Sequence, residues 1–390
     1  SFSQSPMNLR RRSKNDWGRL DMRFNLWEDC NRVPLTELLS FIVDNRGKTV
    51  PTAPSGHKLI ATNCVTNNTL FPVYEKIRYL SEETYQTWFR AHPIPGDILF
   101  VNKGTPGRVC LVPDPVDFCI AQDMIALRAD ESKIYPKYLF AVLRSREIQQ
   151  QIYNTNVGDV IPHFKKQFLN QLLIPIPERS IQESIGDLYY VLSLKAERNK
   201  KINDNLYEIV NAYYTSLFKD VECEMTTIGN YAERIYSGGT PTTSNAAYWD
   251  GTFGWFSSGE TRNRFVISTE KSITQTGIDN SSTKLASKHD IVMASAGQGF
   301  TRGQTSMLLI DTYVNQSVIV IHADRNILPY LFWNLANRYE ELRAISDSSS
   351  IRGSLTTKMI AAFEIPCANN DVIQTFSGFA WAVIPQIENN

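Results

Sequence analysis

The sequence has little of what marks a secreted, metal-binding or membrane-spanning chain. Its 390 residues include six cysteines, none in a Cys-x-x-Cys pair, and five histidines without His-Glu-x-x-His or Cys/His spacing. No apolar run approaches the roughly 18 residues that a membrane helix requires. The basic run at residues 10–12 precedes no apolar segment, so it is not a secretion signal. These absences predict a cytoplasmic protein with reduced thiols and no metal site.

The sequence also lacks an excess of charge of either sign. Forty Lys and Arg residues balance 40 Asp and Glu residues, which excludes a protein that holds a polyanion by bulk charge alone. Any nucleic-acid contact must come from local patches or from a charged partner. Hydrophobic residues make up 42% and aromatic residues 11%, enough to exclude wholesale disorder. The length predicts two or three domains.

Catalytic motifs are absent as well. Residues 46–49 resemble the end of a phosphate-binding loop, but Ile42 stands where that loop requires glycine. The sequence has no Gly-x-Ser-x-Gly elbow, no spaced carboxylate cluster, and no Asn/Asp-Pro-Pro-aromatic tetrapeptide of the kind that amino-methyltransferases use. These absences favour binding over catalysis.

What the sequence does contain is a long internal repeat. Gly96-Asp97-Ile98-Leu99 matches His289-Asp290-Ile291-Val292, Ala121-Gln122-Asp123 matches Asn315-Gln316-Ser317, Tyr138-Leu139-Phe140 matches Tyr330-Leu331-Phe332, and Ile174-Pro175 matches Ile365-Pro366, with offsets of 191 to 194 residues throughout. Constant offset and order indicate a tandem duplication. In each copy an apolar strand (97–101 and 290–294) is followed by a loop and then a predicted helix (136–152 and 329–345). The fold class is therefore α+β, with two similar globular domains.

A heptad pattern lies between the two copies. Apolar residues recur at alternating steps of four and three from Ile181 to Tyr213, interrupted by Lys195 and Asn199, which predicts a long helix over about residues 180–217. A weaker pattern of the same kind follows Pro366. We expect the two helices to pack antiparallel as a coiled coil; the alternative is that each packs only on its own domain. The predicted pairing residues are Ile185, Leu188, Leu192, Ile202, Leu206, Ile209, Phe376, Phe379 and Val383.

These patterns predict a series of segments along the chain. Residues 1–30 form an N-terminal extension, 31–176 the first domain, 177–220 the central helical spacer, 221–365 the second domain and 366–390 a C-terminal helical spacer. Since Ser1 is not an initiator residue, an incomplete start is expected.

Polar and basic side chains suited to reading bases recur at matching places in the two copies. Arg and Lys can address guanine, Asn and Gln adenine, and Thr either a hydrogen-bonding edge or the thymine methyl group. The candidates in the first copy are Arg46, Lys48, Asn102, Lys103, Thr105, Arg108, His163, Lys165 and Lys166. Those in the second copy are Ser257, Arg262, Arg264, Gln298, Thr301, Arg302, Arg352, Thr356 and Lys358. For any single residue, a solvated surface position is the alternative.

The helical junction carries a family resemblance. Ile174-Pro175-Ile176-Pro177 with Gln182, and the run from Glu197 to Leu206 (ERNKKINDNL), resemble the specificity subunit of a type I restriction–modification system. The Gly-Asp-Ile-Leu segment and the strands that begin near Gln122 and Gln316 add to the resemblance, which extends from about Val33 to the C-terminus.

The resemblance implies a function. Such subunits carry two target-recognition domains, each of which reads one half of a split sequence in double-stranded DNA, and antiparallel helices set the distance between the halves. They are not enzymes, but dock two methyltransferase subunits that modify adenine, and motor–nuclease subunits can join the complex. S-adenosylmethionine, ATP and Mg then belong to the partner subunits, and no cofactor is expected on this chain.

Two other functions stay open at this point. One is a protein-binding assembly scaffold without DNA readout, and the other is a self-contained DNA-modifying enzyme. The segment after Pro366 departs from the family pattern because only some 25 residues follow and its start at Cys367-Ala368-Asn369-Asn370 is not proline-rich and acidic. This departure leaves open the length of the second spacer and whether the C-terminus is complete.

Overall fold

The structure is a computed structural model that describes residues 30–45, 49–155, 162–218, 224–297, 301–348 and 353–390. The chain divides into two compact units, with the division between Arg198 and Asn199. We call residues up to Arg198 unit 1 and those from Asn199 onward unit 2. Both units mix helices with sheets, which confirms the predicted α+β class.

The strands of unit 1 are β1 (Asn31–Pro34), β2 (Leu39–Val43), β3 (His57–Ile60), β4 (Arg78–Leu80), β5 (Ile98–Val101), β6 (Val109–Leu111), β7 (Phe118–Ile120), β8 (Met124–Ala129) and β9 (Leu173–Ile176). The main sheet has the order β2–β8–β5–β6. A second sheet has the order β4–β3–β7, and β1 pairs antiparallel with β9. The strand β5 is buried along its whole length, as the apolar run at 98–101 predicts.

Among the described residues of unit 1, three α-helices precede the long helix. They are α1 (Glu82–Thr87), α2 (Pro136–Leu143) and α3 (Arg146–Thr155). The single helix predicted over 136–152 is thus two helices that break at Arg144 and Ser145. The break lets the Arg144 guanidinium donate to the carbonyl oxygens of Val109 and Thr66, at 2.7 and 3.1 Å.

Unit 2 repeats this plan. Its strands are β10 (Met225–Thr227), β11 (Ala232–Ser237), β12 (Trp249–Phe256), β13 (Phe265–Val266), β14 (Lys271–Ile273), β15 (Lys284–Ala286), β16 (Ile291–Ala294), β17 (Thr305–Leu308), β18 (Thr312–Val314), β19 (Val318–Ala323) and β20 (Glu364–Pro366). The main sheet runs β11–β19–β16–β17–β13 and the second β14–β12–β18–β15. The order β2–β8–β5–β6 therefore recurs as β11–β19–β16–β17, and the pair β1–β9 recurs as β10–β20, as a duplication requires.

The helices of unit 2 also match the repeat. They are α5 (Ile228–Tyr231), α6 (Gln275–Asp279), α7 (Leu328–Asn337), α8 (Tyr339–Ser348), α9 (Thr357–Ala361) and α10 (Asn370–Asn389). As in unit 1, the predicted single helix over 329–345 is broken, here at Arg338. The Tyr330 hydroxyl donates to the carbonyl of Pro366 at 2.6 Å, and the Tyr138 hydroxyl in unit 1 donates to that of Pro175 at 2.8 Å.

The long helix α4 spans Arg179–Phe218, which confirms the helix predicted over 180–217. In unit 1 its residues Ile185, Tyr189 and Leu194 pack against the domain core. Gly186 lies against the backbone at Lys137 and Tyr138, where a Cβ atom would come within 2.6 Å of the Tyr138 nitrogen. A glycine is required there because only its bare backbone fits against α2.

In unit 2, α10 runs antiparallel to the Asn199–Phe218 part of α4. The Asn203 amide donates to the carbonyl of Ile387 at 3.0 Å, while at the other end the rings of Phe218 and Phe376 lie 5.7 Å apart. Asn199 donates to the terminal carbonyl of Asn390. The start of this part of α4 thus lies beside the end of α10, and its end beside the start of α10. This is the antiparallel orientation expected for the pair.

The predicted pairing seam itself is only partly right. Phe376 and Val383 are buried in the core of unit 2, and Ile185 and Leu206 are packed against the cores of their units. The predicted residues that are exposed are Leu188 (61%), Leu192 (57%), Ile202 (46%) and Ile209 (54%). Phe379 on the second helix is 38% exposed, but its ring lies 4.9 Å from the Tyr213 ring of α4, so it does take part in the pairing.

The displaced seam has a physical reason. The buried residues of α4 in unit 2 are Tyr207, Val210, Tyr214 and Phe218, one position later than the predicted series. A helix packed on a globular domain keeps 3.6 residues per turn, so a strict heptad count drifts away from the buried face. The drift leaves an apolar stripe of α4 exposed.

Candidate nucleic-acid interface

In unit 1 the structure joins two candidate segments that are about 60 residues apart in the sequence. The loop that follows β5 begins at Asn102, whose carbonyl accepts a hydrogen bond from the Phe164 nitrogen at 2.7 Å. Lys103 forms a β-bridge with His163, and the Gly104 nitrogen donates to the Pro162 carbonyl at 3.0 Å. The loop over residues 102–108 and the segment over 163–166 therefore form one surface, which we call the unit 1 loop pair.

The unit 1 loop pair presents positive charge. Lys103 and Lys165 are exposed, and neither ammonium group has a carboxylate partner among the described residues. Lys166 lies 3.4 Å from Asp44, Thr105 is exposed, and Arg108 is half-buried. Unpaired cations beside a hydroxyl are groups that can bind phosphate oxygens and base edges.

Asn102 has a structural position. Its side chain is fully buried, and its Nδ2 atom donates to the Phe164 carbonyl at 3.0 Å. A buried amide that holds two segments together cannot reach a base, so Asn102 leaves the set of candidate contacts. The amide shapes the loop pair instead.

Unit 2 has the same juxtaposition with different chemistry. The Leu355 nitrogen donates to the Ser295 carbonyl at 2.8 Å, so the loop after β16 again lies beside the segment before a short helix. Arg302 is 12% exposed, pairs with Asp347 and donates to the Gly353 carbonyl at 2.5 Å. The Arg302 guanidinium thus holds the loop after β16 against Asp347 and Gly353.

The remaining candidates of this surface in unit 2 divide by exposure. Thr356 caps α9, because its hydroxyl accepts from the Met359 nitrogen at 3.2 Å. Thr301 is half-buried and Lys358 is exposed. Lys358 is therefore the exposed cation among the described candidates of this surface.

The predicted strip around Ser257 is occupied by intramolecular contacts. The Ser257 nitrogen donates to Glu260 at 2.9 Å in a capping box, and Arg262 pairs with Glu270. Arg264 lies over the Tyr207 ring at 4.1 Å, with its Nη1 atom 3.6 Å from Glu208. Arg264 therefore ties its loop to α4. Four other candidates (Arg46, Lys48, Gln298 and Arg352) lie outside the described residues.

A basic groove in unit 2 has no counterpart among the predicted residues. Its volume is about 530 Å³, and it is lined by Arg234, Tyr236 and Lys284, with both cations within 6 Å of the Tyr236 ring centre (5.9 and 5.6 Å). Burial raises the pKa of Tyr236 to about 12, and its hydroxyl donates to the Leu285 carbonyl at 2.8 Å. The sequence signal for this groove is the spacing of Arg234 and Tyr236 on β11, because residues i and i+2 of a strand lie on the same face of the sheet.

The structure offers nothing that would hold a metal ion within the part of the chain that it describes, where no group of His, Cys, Asp and Glu side chains converges. Among the same residues, no helix is both long and apolar enough to cross a bilayer.

A match to a known protein family shows to which family this chain is related. The family described as "Type I restriction modification DNA specificity domain" matches this chain over residues 44–207 and again over 221–371. The chain belongs to this family. The double match coincides with the internal repeat, one copy of the domain in each half of the chain.

Curated relatives agree with the family. The EcoR124I/EcoR124II type I restriction enzyme specificity subunit of Escherichia coli is 28% identical over 222 residues, which cover 53% of this chain and 54% of that protein. The HindI specificity subunit of Haemophilus influenzae is 26% identical over 132 residues, which cover 33% and 28% of the two chains. The chain thus spans about half the length, or less, of the curated relatives it matches.

A solved structure shares the fold. The S subunit of a type I restriction–modification system from M. genitalium aligns with a TM-score of 0.56 at 15% identity, over 93% of this chain and 91% of that chain. At this identity the likeness concerns the fold, which is that of specificity subunits.

Proposed function

We propose that this chain is the DNA sequence-recognition subunit of a type I restriction–modification complex and is not itself an enzyme. Each unit reads one half of a bipartite site in double-stranded DNA. The observation that carries the proposal is the recurrence, in both units, of a loop after the central strand that is hydrogen-bonded to the segment before a short helix. Two copies of one surface suit two half-sites.

The two surfaces contact DNA differently. In unit 1, Lys103 and Lys165 bind phosphates, and Thr105 and Arg108 are placed beside them for base contacts. In unit 2, Arg302 fixes the loop, so exposed Lys358 and the groove cations Arg234 and Lys284 supply the phosphate contacts. Because the net charge is zero, the partner subunits contribute much of the remaining grip on the phosphates.

The helices serve spacing and assembly. We propose that α4, which belongs in part to each unit, sets the gap between the half-sites. Its exposed apolar residues Leu188, Leu192, Ile202 and Ile209 dock two methyltransferase subunits, since a stripe of that kind indicates a protein interface. S-adenosylmethionine, ATP and Mg then belong to methyltransferase and motor–nuclease partners, and the complex acts in the cytoplasm, where its DNA is.

The DNA-binding proposal is tested by the salt dependence of binding. The logarithm of the DNA-binding constant falls as the logarithm of the salt concentration rises. The double variant Lys103→Gln/Lys165→Gln should make this negative slope shallower by about 2, because each phosphate contact contributes about one unit. The affinity for DNA should fall by a similar factor for every DNA sequence. The control is Lys133→Gln, since Lys133 is already paired with Asp130 at 3.2 Å.

The alternative scaffold function predicts a different result. If the wild-type chain, with and without methyltransferase subunits, binds no DNA while it still assembles with protein, then the exposed stripe on α4 serves assembly alone. An unchanged salt slope in the double variant would remove the unit 1 loop pair from the DNA surface.

A further inference from the structure

One turn is shared by the two units but carries different residues. Gly96 in unit 1 and His289 in unit 2 both have left-handed backbone, with φ of +86° and +78°. The Gly96 nitrogen donates to the Val112 carbonyl at 3.0 Å, and the His289 nitrogen to that of Leu308 at 2.7 Å. Non-glycine residues adopt such φ values uncommonly, and His is among the types that do so most often. The turn therefore accepts either glycine or histidine.

The contacts of His289 form an aromatic socket in unit 2. The His289 ring lies 4.7 Å from the Trp381 ring, and the Arg325 guanidinium lies over the same indole at 4.8 Å. The indole nitrogen donates to the Arg325 carbonyl at 2.8 Å. Two planar, nitrogen-bearing groups therefore cover one aromatic side chain of α10.

The repeat identifies the same aromatic position in unit 1. Pro175 and Pro366 each accept the hydrogen bond of the equivalent tyrosine. Fifteen residues further along (175 + 15 and 366 + 15) stand Tyr190 and Trp381. The aromatic side chain of the socket is thus kept in unit 1 as Tyr190.

The residue of unit 1 that corresponds to Arg325 also differs. The Ile134 nitrogen donates to the Asp130 carbonyl at 3.0 Å, as the Leu328 nitrogen does to that of Asp324 at 3.1 Å. The residue after Asp130 is Glu131, where unit 2 has Arg325. Unit 1 therefore has glycine and glutamate in place of the two basic groups.

Unit 1 has a cavity of about 380 Å³ at this place, lined by Gly96 and Tyr190. Phe71 and Tyr135 supply further aromatic walls. A Cβ atom added to Gly96 would meet no atom within 4 Å. The cavity is thus open where His289 fills unit 2.

The charge around the cavity is negative. Glu131 and Asp114 line it and are exposed, and their carboxylates have no cationic partner among the described residues. Lys137, also in the lining, lies 2.7 Å from the Asp187 carboxylate, which neutralises it, and its ammonium group sits over the Tyr190 ring at 4.7 Å. At the edge of the cavity the Arg179 guanidinium lies over the Tyr135 ring at 5.1 Å, donates to the Glu131 carbonyl at 2.8 Å and pairs with Glu183 at 3.0 Å. The remaining rings of Phe71 and Tyr190, with the carboxylates of Glu131 and Asp114, suit a further guanidinium group.

We propose that this cavity of unit 1 binds the arginine side chain of a partner polypeptide. The arginine restores in trans the planar basic group that unit 2 carries in cis. A polypeptide rather than free arginine fits because Leu188, Val191 and Leu192, each more than half exposed, flank Tyr190 on the same helix and would be covered by the residues beside the arginine. This site rests on the docking role proposed above for the exposed residues of α4, but not on DNA recognition.

The test uses the full chain labelled with 3-fluorotyrosine and followed by fluorine NMR, with the Tyr190 signal assigned from a Tyr190→Phe variant. The probe is the peptide acetyl-Leu-Arg-Leu-amide. It should shift the Tyr190 signal saturably, and the citrulline analogue should bind about tenfold more weakly because it lacks the charge. Acetyl-arginine-amide should also bind about tenfold more weakly than the peptide, since it leaves the leucines uncovered.

The closing variant Gly96→His/Glu131→Arg rebuilds the unit 2 arrangement and should abolish the shift. Its fold is checked by the unchanged positions of the other fluorotyrosine signals. The single variant Glu131→Gln should weaken binding of the peptide. The control variant Glu83→Gln, which replaces an exposed carboxylate on α1, should leave peptide binding unchanged. Equal binding of the citrulline peptide, equal binding of free acetyl-arginine-amide, or no saturable shift would each overturn the proposal.

Discussion

Arg128 and Asp97 form a two-point ion pair, with Nε to Oδ1 at 2.9 Å and Nη2 to Oδ2 at 3.0 Å. The equivalent pair in unit 2 is His322 with Asp290, at 2.6 Å between Nδ1 and Oδ1. Both aspartates have side chains only 1% exposed and come from the repeated Asp-Ile motif. Each therefore needs a partner on the neighbouring strand, β8 in unit 1 and β19 in unit 2.

Replacing Arg128 tests the structural role of this pair. Arg128→Met should destabilise unit 1 by about 2 kcal/mol, because the buried Asp97 carboxylate loses its charged donors. Denaturant unfolding measures the change. Arg78→Met, at an exposed arginine of β4, is the control and should alter stability by less than about 0.5 kcal/mol. Equal losses in the two variants would show that the ion pair contributes nothing particular.

The contact between α4 and α10 predicts a contrast between two phenylalanines. Phe376 is fully buried and touches the rings of Tyr214, Phe218 and Trp333, whereas Phe379 is 38% exposed. Phe376→Ala should cost about 3–5 kcal/mol of unfolding free energy, and Phe379→Ala clearly less. The measurement is denaturant unfolding of both variants in parallel. Similar losses would contradict the packing described.

Stability should fall in mild acid because of two histidines. Burial lowers the pKa of His92 and of His289 below the ordinary 6.5. The unfolded chain therefore takes up protons first, so their contribution is complete above about pH 6.5 and is lost as the pH falls through the lowered values.

The histidine effect is measured as unfolding free energy between pH 7.5 and 5. The double variant His92→Gln/His289→Gln should show a flatter profile across this window. Carboxylates with lowered pKa values, such as Asp187 and Glu341, act only at lower pH. A double variant as pH-sensitive as the wild type would assign the loss to other groups.

The exposed stripe predicts a separation of folding from assembly. Leu188→Gln/Leu192→Gln should leave unfolding unchanged within about 0.5 kcal/mol, because both side chains are already in water. Association with methyltransferase subunits, followed by analytical ultracentrifugation, should weaken at least tenfold. Lys200→Gln, also exposed on α4, is the control. Undiminished association would move the docking surface elsewhere.

The length of α4 predicts the gap in the DNA site. An insertion of one heptad between Lys195 and Leu206 adds roughly 10.5 Å of helix at 1.5 Å per residue. The permitted gap should grow by about three base pairs, since B-DNA rises about 3.4 Å per base pair. Selection of bound DNA sequences measures the gap, and an unchanged gap would contradict the spacing role.

The sequence predicted the large features because they depend on patterns that survive duplication. Fixed offsets predicted two α+β units, and the heptad pattern predicted α4 to within a residue at each end. It misplaced the seam because heptad counting assumes a coiled coil, whereas Tyr207, Val210 and Tyr214 pack on a globular core. Residue type alone also could not separate exposed Lys103 from buried Asn102 or from Arg302, whose partner Asp347 lies 45 residues away.

In the proposed function, each of the two units reads one half of a DNA site. The direct test is to map methylated adenines in a genome that expresses this chain with its methyltransferase, for the wild type and for Thr105→Ala/Arg108→Gln. We expect a two-part motif with a fixed gap, of which the variant changes one part only. One continuous motif, or a change in both parts, would contradict the proposed function of the two units.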